Sequence, residues 1–274
     1  LGEISSSYDE ELIPRGGLVH VDLDGDVPGS AFPQVETLAV QAEIGQFLDA
    51  LLERSDELGG PRALTVPSRA EVPALEPRAA TRVRARYLMQ CLQTQVVEGT
   101  DAVVLSETGN SLAWTNRYLR FGSAQRYRMS GMFCPMGHVS AGILGTVATG
   151  RKAVAVVGDG SFLMQNEIST AAAIGADVVW IVLNDARYGM CDQGMRCLGY
   201  GEADLQFPEV DFLALARSMG GDGVRVAQEG QLADAIAWAV QQRGPIVIDV
   251  LIDRDELAPV ADRIASIYTQ SSGA

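Results

Sequence analysis

The stretch AVAVVGDGS at residues 153–161, taken together with VVWIVLND at residues 178–185, decides the fold of this chain. Each begins with an apolar run that predicts a buried β-strand. The small apolar residues at 165–174 predict a helix between them, which gives the strand, helix, strand crossover that parallel strands require. Because ligands of such sheets bind at the carboxyl edge of the strands, Asp159 and Asp185 are expected to lie in one crevice there.

Two carboxylates in one crevice suit a magnesium diphosphate. Alone, Gly-Asp-Gly is typical of a turn, and Asn-Asp of a turn or a helix cap. Hard oxygen ligands beside a glycine turn, whose amides can approach an anion, are what a magnesium diphosphate needs. Because Mg²⁺ binds six oxygens, a backbone carbonyl, water and two phosphate oxygens would complete the shell. We therefore predict Asp159 and Asp185 as metal ligands, with Gly160 and Ser161 donating hydrogen bonds to the diphosphate.

Three further motifs extend this pattern along the chain. They are SETGNS at residues 106–111, PMG at residues 135–137 and LNDARYGM at residues 183–190. With them, the sequence resembles the thiamine diphosphate-dependent enzymes of the acetolactate synthase and pyruvate decarboxylase group, and specifically their C-terminal half. The resemblance implies thiamine diphosphate and Mg²⁺ as cofactors.

The resemblance also implies roles for residues around the metal. The backbone carbonyl of Arg187 would be the third protein ligand, and Asp185 replaces an asparagine that is common at its position. Asn110 and Ser111 match a loop that reaches the diphosphate. The alternative for this loop is an N-cap of a helix at residues 111–119.

Four residues are implied to contact the body of the cofactor: Cys134, Met136, Gly189 and Met190. Met136 matches the apolar wedge that makes the two rings of the cofactor face each other, so that a proton transfer between them becomes intramolecular. Core filling is the alternative for this methionine. The carbonyl of Cys134 would face the amino group of the pyrimidine ring.

No catalytic side chain is assigned within this chain, because the glutamate that activates the pyrimidine ring belongs to another domain in the family. His138 and Cys191 are candidate pocket residues. His138 would shuttle a proton or have a hydrogen-bonded packing role, and Cys191 would line the pocket. Cys197, Tyr200 and Phe207 are placed in an irregular segment, either a lid or a surface loop.

The chain is expected to contain three parts. Residues 1–60 resemble the C-terminal part of a middle domain, with a strand at 18–23 and a helix at 35–52. The prolines of residues 61–80 predict an extended linker. Residues 81–274 are the predicted diphosphate-binding catalytic domain.

Alternating strands and helices in the catalytic domain predict an α/β fold with a doubly wound, mainly parallel sheet flanked by helices. Besides the three elements above, the pattern predicts helices at 82–97, 111–119, 137–148, 211–219 and 231–242, and strands at 102–105, 126–129, 223–226 and 246–251.

Composition narrows the classes of partner. The 274 residues are 47% hydrophobic, which is ample for buried cores, and carry a net charge of -14. That charge argues against nucleic acid and anionic membranes as partners. Without a signal peptide or a long apolar segment, a cytoplasmic location is expected. The four cysteines lack the paired spacing of a zinc site.

The resemblance implies a carboligase that decarboxylates a 2-oxo acid and then forms a carbon–carbon bond. A decarboxylase without ligation is one alternative, and a noncatalytic cofactor-binding or regulatory subunit is another. Because the pyrimidine-binding domain is not in this sequence, we expect a companion chain or segment to carry it. A homo- or hetero-oligomer is the expected assembly.

Overall fold

A computed structural model of the protein describes residues 16–59 and 73–260, apart from residues 31, 131, 132, 165, 202 and 203. These residues fall into two compact units, one within 16–59 and one within 73–260. Residues 61–72 of the predicted linker and position 165 of the predicted helix lie outside the described residues.

The first unit contains two parallel strands and a helix: β1 (Leu18–Asp22), β2 (Thr37–Gln41) and α1 (Ile44–Glu53). The predicted helix over 35–52 is therefore wrong in its first half. Alternating side chains that include β-branched Thr37 and Val40 suit a strand paired with β1. The helix begins only after Glu43, whose carboxylate accepts a hydrogen bond from the amide of Gln46 at 2.9 Å.

The second unit is built on a six-stranded sheet in which all paired strands are parallel. The strand order is β4-β3-β5-β6-β8-β7. This confirms the predicted α/β fold class. The strands are β3 (Val103–Ser106), β4 (Tyr127–Met129), β5 (Ala153–Gly158), β6 (Val178–Asn184), β7 (Asp222–Val226) and β8 (Ile246–Leu251).

Helices cover both faces of this sheet. They are α2 (Ala85–Leu92), α3 (Asn110–Tyr118), α4 (His138–Gly142), α5 (Asp159–Phe162), α6 (Glu167–Ile174), α7 (Gly189–Cys197), α8 (Phe212–Ser218) and α9 (Glu229–Gln241). A π-helix (Gln93–Glu98) continues α2, a 3-10 helix (Ile143–Thr149) continues α4, and another (Ala124–Arg126) precedes β4. The predicted helices at 82–97 and 137–148 thus each change type partway.

Two hydrophobic cores lie on opposite faces of the sheet, as the doubly wound arrangement requires. Val154 and Val156 of β5 pack in one core with helices α2, α3 and α9. Ala155 and Val157 of the same strand pack in the other, with α4, α6 and α8. Since successive side chains of a strand point to opposite faces, a strand buried on both sides is a continuous apolar run.

The segment after β6 differs from the prediction. Cys197 was expected in an irregular stretch, but it is the last residue of α7. Gly189 and Gly194 lower the helix propensity of this segment, and its helical pattern was therefore missed. Tyr200 and Phe207 do lie outside helices and strands.

Within the described ranges, no helix has the length and apolar character needed to cross a membrane.

Candidate functional site

A cavity of about 260 Å³ lies in the second unit, at the carboxyl edge of strands β3, β5 and β6. It brings together all the cofactor and metal residues predicted from the sequence, and Cys191 with them. These lining residues are Asn110, Ser111, Cys134, Met136, Asp159, Gly160, Ser161, Asp185, Arg187, Gly189, Met190 and Cys191. Their shared location is observed, while the binding role of each remains a prediction.

Asp159 follows β5 directly and is 2% exposed. Its Oδ1 accepts a hydrogen bond from the amide of Gly160 at 2.7 Å. Its Oδ2 accepts from the amides of Asp185 and Ala186 at 3.0 and 2.6 Å. The first acid therefore holds the backbone of the loop that carries the second, and the crossover expected from the sequence places both at one edge.

Asp185 is 7% exposed and is paired with an arginine. Its Oδ2 accepts a hydrogen bond from Nε of Arg187 at 2.8 Å. The carbonyl of Arg187, the predicted third metal ligand, accepts a hydrogen bond from the amide of Gly189 at 2.9 Å. The side chain of Arg187 is thus an additional component of the site that sequence reasoning missed.

Burial affects the protonation of both acids. Burial, and then the charge of Asp185, raise the pKa of Asp159 to about 7, although three backbone amides oppose the change. Burial also raises the pKa of Asp185, against the opposing effect of Arg187. Two carboxylates that are costly to ionise side by side form a site where a cation would be favoured.

The loops around the cavity contain unusual backbone conformations. Cys134 and Ala186 are non-glycine residues with positive φ, at 43° and 54°. Such conformations cost energy and tend to occur at functional sites. At Ala186 the hydrogen bond from its amide to Asp159 stabilises the conformation.

Two glycines allow close packing at the cavity wall. A Cβ added to Gly160 would lie 2.9 Å from a ring carbon of Tyr188 and 3.2 Å from the methyl carbon of Met136. At Gly189 it would lie 2.9 Å from Oδ2 of Asp185 and 3.2 Å from Nδ2 of Asn110. Any side chain at these positions would displace residues of the predicted site.

The loop after β3 presents one buried polar atom to the cavity. Oδ1 of Asn110 is buried and, within the described part of the chain, has no hydrogen-bond partner. The hydroxyl of Ser111 donates to the carbonyls of Glu107 and Thr108 at 2.9 and 3.0 Å. The N-cap of α3 is Gly109, so the alternative role of Asn110 and Ser111 as an N-cap is wrong.

His138 is placed away from this cavity. It is exposed and lines an adjoining groove together with Phe133 and Met164. Its Nδ1 lies 3.1 Å from Oγ of Ser130, which agrees with the hydrogen-bonded packing role. The structure gives no support to His138 as a residue of the cofactor pocket, because it does not line that cavity, whereas Cys134 and Met136 line both the cavity and the groove.

Glu107 is buried and has a structural task. Its Oε2 accepts hydrogen bonds from the amides of Val139 and Ser140 at 3.0 and 2.9 Å. The carbonyl of Ser140 in turn accepts from the indole of Trp180 at 2.8 Å. This acid therefore fixes the first turn of α4 and, through it, the loop that carries Met136.

Six lining residues were not predicted individually: Thr108, Gly109, Gly158, Leu183, Tyr188 and Ile252. Five of them stand within the quoted motifs. Ile252 directly follows β8, whose carboxyl end reaches the same edge of the sheet as β6. The rule for parallel sheets would have identified it.

Comparison with known proteins gives the family. Residues 107–250, just over half of the chain, match the model of the thiamine pyrophosphate enzyme, C-terminal TPP binding domain. Thiamine pyrophosphate is another name for thiamine diphosphate.

The chain is similar to an acetolactate synthase of Bacillus subtilis (28% identical, covering 96% of this chain and 44% of the relative). It is also similar to the acetolactate synthase isozyme 1 large subunit of Escherichia coli (24% identical, covering 90% of this chain and 44% of that subunit). The chain therefore spans less than half the length of these relatives.

Among solved structures, a thiamine diphosphate-dependent 4-hydroxybenzoylformate decarboxylase of Rhodococcus jostii has the same fold. Its TM-score is 0.68 at 23% identity, over 88% of this chain and 45% of that one. With the family match and the fold in agreement, the chain belongs to the thiamine pyrophosphate enzymes and carries their C-terminal cofactor-binding domain.

Proposed function

We propose that this chain is the diphosphate-binding half of a thiamine diphosphate- and Mg²⁺-dependent carboligase that acts on a 2-oxo acid. The observation that carries the proposal is the buried pair Asp159 and Asp185 at one edge of the sheet, linked by the hydrogen bonds from the Asp185 and Ala186 amides. The similarity to acetolactate synthases supports carbon–carbon bond formation as the reaction.

The residues of the cavity fit this cofactor. Asp159 and Asp185 provide two hard oxygen ligands whose ionisation a divalent cation would favour. The unpartnered Oδ1 of Asn110 offers a polar contact, and the absence of a side chain at Gly160 leaves room for Tyr188 and Met136 at the cavity wall. With the carbonyl of Arg187, the two carboxylates provide the three protein oxygen donors of the predicted octahedron, and water and phosphate oxygens would supply the rest.

Each group would have a binding or orienting task. Asp159, Asp185 and the carbonyl of Arg187 would hold Mg²⁺ on the diphosphate. Ser161, and the amide of Gly160 that here donates to Oδ1 of Asp159, would donate hydrogen bonds to the diphosphate. When bound, thiamine diphosphate supplies the electron sink for the loss of carbon dioxide from a 2-oxo acid.

A second set of residues would shape the space around the rings of the cofactor. Met136 would act as the wedge beneath them, while Cys134, Gly189 and Met190 would line the remainder. Cys191 would face the substrate side. The apolar groups would exclude water from the reacting atoms, and the protein would contribute mainly orientation.

Full activity would require a pyrimidine-binding domain from another chain or segment. The first unit has apolar side chains grouped on its surface, because Val19 of β1 and its register partner Leu38 of β2 are each more than half exposed. Apolar residues grouped in this way are typical of surfaces that another segment covers. The cytoplasmic location is likewise a proposal, which rests on the sequence alone.

Calorimetry with the 274-residue chain tests the cofactor site. Thiamine diphosphate in the presence of Mg²⁺ should bind to the native chain, and Asp159→Ala should weaken binding by at least about 100-fold, because it removes a charged ligand. Asp177→Ala removes an acid from the opposite end of β6 and should leave affinity unchanged. Equal binding by native protein and Asp159→Ala would show that the site is assigned wrongly.

Turnover tests the need for a companion. The isolated chain with pyruvate, thiamine diphosphate and Mg²⁺ should form no product, because it lacks the glutamate that activates the pyrimidine ring. Addition of a pyrimidine-binding domain should produce a carboligation product. Turnover by the chain alone would disprove this part of the proposal.

A further inference from the structure

The side chain of Arg187 is fixed beside the predicted cation site by three contacts. Its Nε donates to Oδ2 of Asp185 at 2.8 Å, and its Nη1 donates to Oδ2 of Asp192 at 2.9 Å. Its Nη2 donates to the carbonyl of Arg254. The side chain is 14% exposed. A guanidinium with every nitrogen engaged and little access to water is a fixed positive charge.

This fixed positive charge changes the net charge of the crevice. Asp159, Asp185 and Asp192 together carry three negative charges when ionised, and Arg187, which contacts the last two, reduces the sum to two. Charges that are partly buried are screened weakly by solvent and salt. Arg187 therefore lowers the attraction of the site for a free divalent cation and raises its attraction for an anion.

The same contact holds the carboxylate of Asp185 in one orientation. Oδ2 is occupied by Nε of Arg187 and lies against the backbone of Gly189. Oδ1 takes no part in the contact with Arg187. Arg187 thus acts on the charge and on the orientation of one ligand.

We propose that Arg187 is a positioning residue that makes the cation and the diphosphate bind together, because its charge disfavours the cation alone and favours the anionic partner. This inference rests on the proposed function, in which Asp185 is a metal ligand. The role predicted from the sequence, in which the backbone carbonyl of Arg187 binds the metal, does not imply this inference, since any residue supplies a carbonyl. The charge and the three contacts belong to the arginine side chain.

The test measures the two ligands separately in the 274-residue chain. Mn²⁺ alone is titrated by electron paramagnetic resonance, and thiamine diphosphate is titrated by calorimetry at saturating Mn²⁺. We expect Arg187→Gln to bind Mn²⁺ alone about tenfold more tightly and thiamine diphosphate about tenfold more weakly, since the lost charge acts on the two ions with opposite sign. A variant that merely loses structure would weaken both.

Two matched variants separate charge from other effects. Arg187→Lys keeps the charge and should bind both ions within about threefold of the native chain if charge is the main effect. Arg196→Gln removes a more exposed arginine that pairs with the same Asp192 at 2.9 Å. It should change either affinity by less than about twofold, since exposed charges are well screened.

Two results would overturn the inference. Suppose that Arg187→Gln weakens the binding of both ligands, or changes the affinity for neither, while Asp159→Ala still abolishes Mn²⁺ binding. The cation site would then stand, and the proposed role of Arg187 would be wrong. If Asp159→Ala leaves Mn²⁺ binding unchanged, the cation site itself is misassigned and the proposed function falls with the inference.

Discussion

Two buried carboxylates in the second unit have opposite surroundings. Glu229, at the start of α9, is fully buried, and Asp159, after β5, is 2% exposed. Both accept hydrogen bonds from backbone amides. Nε and Nη2 of Arg84 bind the two oxygens of Glu229 at 2.8 and 2.7 Å, while the nearest charged group that shifts the pKa of Asp159 is another acid, Asp185.

The pKa values of the two acids move apart accordingly. Burial alone would raise the pKa of Glu229, but Arg84 and the amides of Arg78 and Arg84 lower it to about 2. For Asp159, burial and Asp185 raise the pKa to about 7. A buried acid whose charge is compensated within the protein stabilises the fold. One whose charge is not compensated is a candidate for binding something else.

The largest expected effect comes from breaking the compensated pair. Glu229→Gln should lower the free energy of unfolding by about 3–5 kcal/mol, because the Arg84 guanidinium loses its partner in a buried network. Urea denaturation measures the change. Asp234→Asn, on the exposed face of the same helix, is the control and should cost less than about 0.5 kcal/mol. A loss of similar size in both variants would contradict a stabilising role for the Glu229 pair.

The raised pKa of Asp159 should make the stability of the chain depend on pH. The folded state retains the Asp159 proton up to about pH 7, whereas an unfolded Asp loses it near its ordinary pKa of 3.8. Stability should therefore fall as pH rises through this window and level off above it, by about 4 kcal/mol for a shift of this size. Denaturation in the absence of divalent cations between pH 4 and pH 8 measures it.

The variant Asp159→Ala provides the control for this pH dependence. Without the titrating carboxyl, most of the fall between pH 4 and pH 7 should disappear. Mg²⁺ with thiamine diphosphate should restore stability to the native chain most strongly at high pH, where the proton no longer competes. An equal slope in the variant would show that another group is responsible.

A smaller effect on stability is expected from replacing one glycine in each region by alanine. Gly189→Ala should cost about 1–3 kcal/mol of stability, because its new methyl group would press on Asp185 and Asn110. Gly230→Ala, beside Glu229 in α9, has no atom within 4 Å of the added Cβ. It should be neutral or stabilising by up to about 1 kcal/mol. Thermal denaturation of the two variants measures the difference, and equal costs would show that the packing around Asp185 is loose.

Much of the site could be predicted because its residues follow strands. Asp159 and Asp185 are 26 residues apart, but an apolar run ends one residue before each of them, and parallel strands end at one edge. The same rule covers Asn110 after β3. These positions depend on backbone topology, which hydrophobic periodicity reveals.

Other features depend on side-chain contacts or on partners distant in sequence. The local pattern alone does not determine the pairing of β2 with β1, since the apolar residues of 35–52 also fit helical spacing. Nor does it determine the helical state of α7, since Gly189 lowers its helix propensity. The location of His138 depends on where α4 begins. Glu229 showed no sequence signal, because its partner Arg84 lies 145 residues away.

The hydrogen bonds from the amides of Asp185 and Ala186 to Asp159 have a consequence for mutational analysis. Because one carboxylate orders the backbone that presents the other, substitutions at the two positions should be non-additive. A double-mutant cycle would assign to side-chain pairing an energy that also includes the ordering of the loop. The two acids therefore behave as one cooperative unit, and the affinity of the crevice for an ion includes the stability of residues 185 and 186.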